Sequence, residues 1–270
     1  MSKNQSLREH GIKAIIVDVD GTLLSHTNRQ IPESARSALR AAKEQGILLF
    51  IATGRHKRGL DFDPLIMSPM FSGHITLNGQ LCFTGDSILY SNPIDRDDIR
   101  EVVSFLAHQP IPVLFSEADG FFVNMIDETV LEAHASCGME TPKIDVPGHA
   151  METDIYMMGV FGGNKYIHLL QRFKHCDHVP WFWGGGGFDV FPQGGNKWAG
   201  IMPVLEHFKI KPEEAATIGD CENDIEMLVH AGFSVAMGNA AGHVKEYADY
   251  VTDDIDEDGF SKAITRILSI

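Results

Sequence analysis

Two acids stand two positions apart in Asp18-Val19-Asp20, directly after a run that begins at Lys13 and continues Ala-Ile-Ile-Val. If the chain leaves extended geometry after Asp18, both side chains can turn toward one point. Such a pair can divide labour, one carboxylate acting as nucleophile and metal ligand and the other as proton donor and acceptor, provided their surroundings separate their pKa values. The plainer alternative is an Asp-Gly turn in which both acids only cap the backbone. A second acidic cluster, Gly219-Asp220-Cys221-Glu222-Asn223-Asp224, also follows a short apolar run. Mg²⁺ is held by one or two protein carboxylates, with water and substrate phosphate completing the octahedron, and Asp18 and Asp220 could be those two. Helix capping by Asn223 or Asp224 is the simpler use of the same residues. Thr53-Gly54 offers a hydroxyl and backbone N–H groups to an anion. Lys197 would place a point charge on a phosphoryl group in transfer, although a lone lysine is ordinarily a surface residue.

These residues need elements to hold them. The strand pattern from Lys13 to Asp18 is apolar throughout, as in a parallel sheet covered on both faces. Pro32 to Gln45 carries Ala35, Ala38, Leu39 and Ala42 at helical spacing, with Gly46 just past its end. Ile47 to Thr53 is a second buried strand, which makes a right-handed βαβ unit. The pattern returns with a strand at Ala215 to Gly219, a helix at Asp224 to His230, a strand at Phe233 to Met237, a helix at Ala240 to Tyr247 and a strand at Asp249 to Thr252. Ligands of open α/β sheets bind beyond the carboxyl ends of the strands, so the ends after Val17, Ala52 and Gly219 should converge on one site.

The middle of the chain reads differently. It combines helical stretches (Asp95 to His108, Glu128 to Ser136, Lys165 to Phe173) with a hairpin signal, Val113 to Phe115 and Phe121 to Val123 around Asp119-Gly120. Strands are expected at Ile155 to Phe161, Val179 to Trp183 and Phe188 to Phe191, with Gly184 to Gly187 a loop between them. This is an α+β module interrupting a parallel α/β domain.

Taken in order, the motifs resemble those of the haloacid dehalogenase-like phosphatase superfamily, and most of all its Cof-type branch. The resemblance rests on Asp18-Val-Asp20-Gly21-Thr22, Ala52-Thr53-Gly54-Arg55, Asn78-Gly79, Lys197, Gly219 to Asp224, Ala236-Met237-Gly238-Asn239-Ala240, Ala248-Asp249-Tyr250-Val251-Thr252 and Asp258-Gly259. It implies an α/β fold: a Rossmann-like parallel sheet with helices on both faces, formed by residues 1–90 and 191–270, and an inserted α+β cap over residues 91–190. It further implies Asp18 as nucleophile and Asp20 as general acid and then base. Thr53, Gly54, Lys197 and Asn223 would bind phosphate, and Asp18, Asp220 and Asp20, through its carbonyl oxygen, would bind Mg²⁺. Asp224 would support them. At the third motif the family commonly has Ser before the lysine and Gly after it, where this chain has Asn196 and Trp198.

The expected activity is hydrolysis of a small phosphorylated metabolite, a sugar phosphate or similar, through an aspartyl-phosphate. The alternatives are a phosphosugar mutase of the same superfamily and a phospho-receiver signalling protein. A formal charge of −15, from 37 acids against 22 Lys and Arg, disfavours nucleic acid and anionic membrane surfaces as partners. Cys82, Cys137, Cys176 and Cys221 are widely spaced, and no apolar run is long enough for a membrane span, so a cytoplasmic protein is expected; monomer and homodimer are both open. His175-Cys176-Asp177-His178 has ligand-type residues, but adjacent chelators rarely complete a tetrahedral site. Trp181, Trp183 and Trp198 read as packing residues more readily than as a sugar platform.

Overall fold

The computed structural model describes residues 11–181 and 184–270. Met1–His10 and Trp183, with the end of the strand expected to contain it, lie outside them. The chain divides into two compact units, one made of residues up to Arg55, Leu60–Tyr90 and Asn196–Ile270, the other of His56–Gly59 and Ser91–Gly195.

The first unit is built on an eight-stranded sheet. Its strands are β1 (Ala14–Val17), β2 (Leu48–Ala52), β3 (Gly73–Thr76), β4 (Leu81–Thr84), β5 (Ser87–Ser91), β12 (Ala215–Gly219), β13 (Phe233–Ala236) and β14 (Tyr250–Val251). Their order is β14-β13-β12-β1-β2-β3-β4-β5. The pairs from β14 to β3 are parallel, and β4 returns antiparallel to β3. The chain moves outward from β1 on one side and from β12 on the other, so β1 and β12 flank the switch point where such sheets open a ligand crevice.

Period-two alternation explains why these strands are apolar at every position. Ile15, Val17, Leu49 and Ile51 face helices α1 (Glu33–Glu44) and α7 (Gly259–Leu268), through Ala35, Leu39, Ala42, Ala263, Ile264 and Ile267. Ala14, Ile16, Phe50 and Ala52 face α4 (Lys197–His207) and α5 (Ile225–His230), through Ile201, Val204, Leu205 and Met227. The sheet is therefore covered on both sides. The helix expected over Ala240 to Tyr247 is confined to α6 (Gly242–Lys245), because the Ala240 N–H bonds back to Met237 in a turn.

The second unit holds a six-stranded sheet in the order β10-β11-β9-β6-β7-β8. Its elements are α2 (Arg96–His108), β6 (Val113–Ser116), β7 (Phe121–Val123), α3 (Glu128–Cys137), β8 (Lys143–Ile144), β9 (Met157–Phe161), β10 (Cys176–Trp181) and β11 (Gly187–Pro192). Asp119-Gly120 turns the β6–β7 hairpin, with the Glu117 N–H on the Gly120 carbonyl. The segment expected as a helix over Lys165 to Phe173 forms 3₁₀ turns over Gly163–Arg172. Phe115, Val160, Phe188, Ile99 and Val102 fill the core of this unit. His175-Cys176-Asp177-His178 runs into β10, where successive side chains point to opposite faces and cannot close on one ion. The Cys176 thiol lies against Asp98, and Asp177 accepts the Gly194 N–H. Trp181 packs edge-on against Phe161, and Trp198, in the first unit, stacks on His230. Among the described residues no helix is long and apolar enough to cross a membrane.

Phe50 is fully buried at the centre of the first sheet, with the Phe208 ring edge-on at 5.1 Å. Phe50→Ala should therefore lower stability by about 3–5 kcal/mol, read from the shift of the urea unfolding midpoint of this unit. An unchanged midpoint would mean that this layer contributes little to the fold.

Candidate active site

Register brings the three strand ends level. Val17 pairs with Ile218 on one side and Ile51 on the other, so Asp18, Thr53 and Asp220 all begin loops at the same edge of the sheet. The Asp18 N–H still continues the ladder to the Ile218 carbonyl, after which the chain coils tightly. Leu23 and Leu24 both donate to the Val19 carbonyl, and Gly21 donates to Leu24. Gly21 has φ +82°, and a Cβ there would lie 2.3 Å from an Asp220 carboxylate oxygen. Only glycine lets the first acidic loop approach the second this closely.

Lys197 lies at the centre of the arrangement. It is the first residue of α4, whose N-cap, Asn196, accepts the Ala199 N–H. Its side chain is wholly buried, and its Nζ donates to Asp18 Oδ1 at 2.5 Å and Asp224 Oδ1 at 2.6 Å. The other Asp224 oxygen accepts the N–H groups of Asp220 and Cys221. Asp224 thereby fixes both the lysine and the loop that carries Asp220.

Asp220 is held from two sides, by the Thr22 hydroxyl at 3.1 Å and the Asn239 amide at 3.3 Å. The same Asn239 amide donates to the Gly21 carbonyl, and its oxygen accepts the Ile255 N–H. Asp20 turns elsewhere. Arg55 donates to both of its oxygens, at 2.7 Å each, in a two-pronged ion pair.

The electrostatics follow from burial. Asp18 is pushed up to about 7, first by desolvation and then by repulsion from Asp224, against the pull of Lys197. Asp220 is raised as well, first by desolvation, then by repulsion from Asp18 and from Asp224. For Lys197, burial works against the charged form, but the two carboxylates outweigh it and the ammonium is held charged. For Asp20, desolvation is likewise overcome, here by the Arg55 pair, and its carboxyl lies below the ordinary range.

Oxygens of Asp18, Asp220 and Asp224 lie within 4.8 Å of one another, the one group of metal-ligating side chains found among the described residues. Three carboxylate donors, two of them (Asp18 and Asp220) made costly to ionise by burial and by neighbouring negative charge, suit a hard divalent cation. The Asp20 carboxylate is not in this group because Arg55 holds it.

Residues 15–264 match the haloacid dehalogenase-like hydrolase family. The chain belongs to that family. YkrA of Bacillus subtilis (strain 168), named as a phosphatase, is 31% identical over 261 residues, covering 94% of this chain and 97% of that protein. The structure resembles that of BT4131, described as a sugar phosphatase of HAD subclass IIB, with a TM-score of 0.86 and 33% identity over 96% of this chain and 100% of the other. It also resembles BT1666, a HAD-superfamily phosphatase of Bacteroides thetaiotaomicron, with a TM-score of 0.84 and 29% identity over 97% of each chain. This HAD-family protein is a phosphatase, with a parallel-sheet core and an inserted α+β unit.

Asp18, Asp20, Thr53, Gly54, Lys197, Asp220, Asn223 and Asp224 all belong to the first unit. Thr53 is buried, and its hydroxyl accepts the Arg55 N–H. Asn223 donates to Asn78. Three further residues were not singled out from the sequence as site residues: Arg55, which holds Asp20; Asn239, which holds Asp220; and Asn78. Each follows the end of a parallel strand, and that position was the available signal.

Removing the ammonium would leave buried carboxylates uncompensated. Lys197→Met should cost about 3–5 kcal/mol of stability. With no cation beside them the folded-state carboxyls bind protons more tightly than the unfolded chain does, so the deficit should grow as pH rises from about 4. Denaturant unfolding at pH 5 and pH 8 measures this, and an equal loss at both would contradict it.

Proposed function

We propose that this phosphatase hydrolyses small phosphorylated metabolites, sugar phosphates foremost, by passing the phosphoryl group through Asp18. The observation that carries this reading is the buried bridge from Lys197 to Asp18 and Asp224, with Asp220 beside it. An ammonium has three donors. Two are engaged by the carboxylates, and the third is assigned to a phosphoryl oxygen.

In the first half-reaction an Asp18 oxygen forms a bond to phosphorus as the bond to the leaving oxygen breaks, and Asp20 gives that oxygen a proton. In the second, water forms the new bond to phosphorus, Asp20 takes its proton, and the Asp18 carboxylate is regenerated with release of inorganic phosphate. Thr53, the Gly54 N–H, Lys197 and Asn223 orient the phosphoryl oxygens and hold the negative charge that spreads over them. Mg²⁺, held by Asp18, Asp220 and the main-chain carbonyl of Asp20, would neutralise further charge on those oxygens. The Arg55 pair keeps Asp20 ionised, which suits the second half-reaction; the first requires the guanidinium to release it and the carboxylate to take up a proton from solvent, which it then passes to the leaving oxygen. None of these residues comes from the inserted unit, to which we assign choice of the leaving group. The sugar-phosphate assignment is supported by the description of BT4131 as a sugar phosphatase.

Asp18→Asn keeps the shape of the side chain and removes the attacking carboxylate. Release of inorganic phosphate from a panel of phosphorylated metabolites, with no bisphosphate activator added, should fall to background in that variant, with its melting temperature not lowered. Wild-type rates would reject the mechanism, and a wild-type requirement for a bisphosphate would favour the mutase.

Metal binding should be linked to pH through Asp18. In the folded metal-free protein this carboxyl titrates at about 7, against about 3.9 in an unfolded chain. The folded state therefore binds the extra proton, and this group makes stability fall as pH rises from about 4 to about 7. A cation that holds Asp18 ionised removes that penalty. The rise in melting temperature on adding Mg²⁺ should thus be small at pH 5 and larger at pH 8, whereas a shift independent of pH would contradict Asp18 as a ligand.

A further inference from the structure

Beyond β3 the backbone does something costly. Leu77, Asn78 and Gly79 follow one another at φ +53°, +53° and +94°. Asn and Gly tolerate the left-handed region, but Leu does not, and a strained run of this kind persists only where its surroundings over-determine it. Leu77 is fully buried and Asn78 nearly so.

The contacts of the turn show what the strain achieves. Leu77 N–H donates to the Arg55 carbonyl and Asn78 N–H to the Thr53 carbonyl, so the turn is fastened along the Thr53-Gly54-Arg55 loop. Asn78 Oδ1 accepts the Asn223 amide at 2.9 Å, and the same oxygen would lie 3.1 Å from a Cβ on Gly54. A Cβ on Gly79 would lie 2.2 Å from the carbonyl oxygen of Asn196, the cap of the helix that begins with Lys197. One turn therefore abuts Thr53, Gly54, Asn223 and the start of the Lys197 helix, the four groups assigned to phosphate.

We propose that Asn78 is a positioning residue for phosphate binding, its side-chain oxygen orienting the Asn223 amide so that the second amide hydrogen of Asn223 meets a phosphoryl oxygen. This rests on the phosphatase reading above. Asn78 touches no reacting atom itself. It acts through Asn223, and the left-handed turn exists to bring its oxygen to that amide. The cation side of the site is independent of it, since Asp18, Asp220 and Asp224 are held by Thr22, Asn239, Lys197 and backbone groups.

Asn78→Gly separates the side chain from the backbone, because glycine adopts the same φ without strain. Titration calorimetry with inorganic phosphate at saturating Mg²⁺ should show affinity about five- to ten-fold weaker in Asn78→Gly, the loss of roughly one hydrogen bond's worth of orientation. Asn223→Ala should show at least the same loss, and the double variant no more than Asn223→Ala alone, since Asn78 acts only through that amide. Mg²⁺ affinity, measured separately, should be unchanged in all three. Wild-type phosphate affinity in Asn78→Gly, independent losses that multiply in the double variant, or a parallel loss of Mg²⁺ affinity would each overturn the assignment. If Asn78→Gly does not fold, Asn223→Ala still tests it, because wild-type phosphate affinity there removes the amide through which Asn78 is said to act. A wild-type protein that binds no phosphate and releases none would reject the phosphatase reading itself.

Discussion

A single buried ammonium holds the site together. Lys197 is wholly removed from solvent yet remains charged because Asp18 and Asp224 lie within hydrogen-bond distance on either side. Burying such a charge alone would be prohibitive, and burying two carboxylates alone would be equally so. Together they are tolerated, but the balance is incomplete: two carboxylates face one ammonium, with Asp220 a further acid beside them. Burial first, and that residual negative charge second, raise Asp18 and Asp220, and the cluster is prepared for a divalent cation. The geometry depends on the parallel sheet, which delivers Asp18 and Asp220 from adjacent strands at one level, and on α4, whose first residue is the lysine.

Around this centre the supporting contacts divide by task. Thr22 and Asn239 orient Asp220, and Asn239 also ties the Gly21 loop to the segment at Ile255. The turn at Leu77-Asn78-Gly79 serves the opposite side, where Thr53, Gly54 and Asn223 gather. Arg55, two residues beyond Thr53, holds Asp20. These contacts fix the orientation of the acids before any ligand arrives, as catalysis by preorganised charge requires.

What could be read from the sequence follows from the range of the interactions involved. Asp18, Thr53 and Asp220 were legible because a continuous apolar strand running into a polar residue is a local pattern, and the sheet rule converts that pattern into a site. The βαβ units were legible for the same reason. Lys197 was harder, since nothing local separates a buried lysine from an exposed one; its partners lie 179 and 27 residues away in sequence. Strands β3, β4 and β5 are harder to read: His74 and Thr76 break the apolar run of β3, the left-handed turn separates it from β4, and β5 is largely exposed. Arg55, Asn78 and Asn239 stood in quoted motifs, but their tasks are set by partners distant in the chain. The 3₁₀ turns at Gly163–Arg172 share the apolar spacing of a helix closely enough that pattern alone reads them as one.

The central claim is that Asp18 itself carries the phosphoryl group. Its most direct test is rapid quenching of the enzyme during turnover, reduction with borohydride and mass spectrometry of the peptide containing residues 14–24, since borohydride converts an aspartyl-phosphate to homoserine. The account predicts homoserine at position 18 and an unmodified Asp20. Steady release of phosphate with Asp18 unmodified at every time point, or reduction at a different acid, would contradict it.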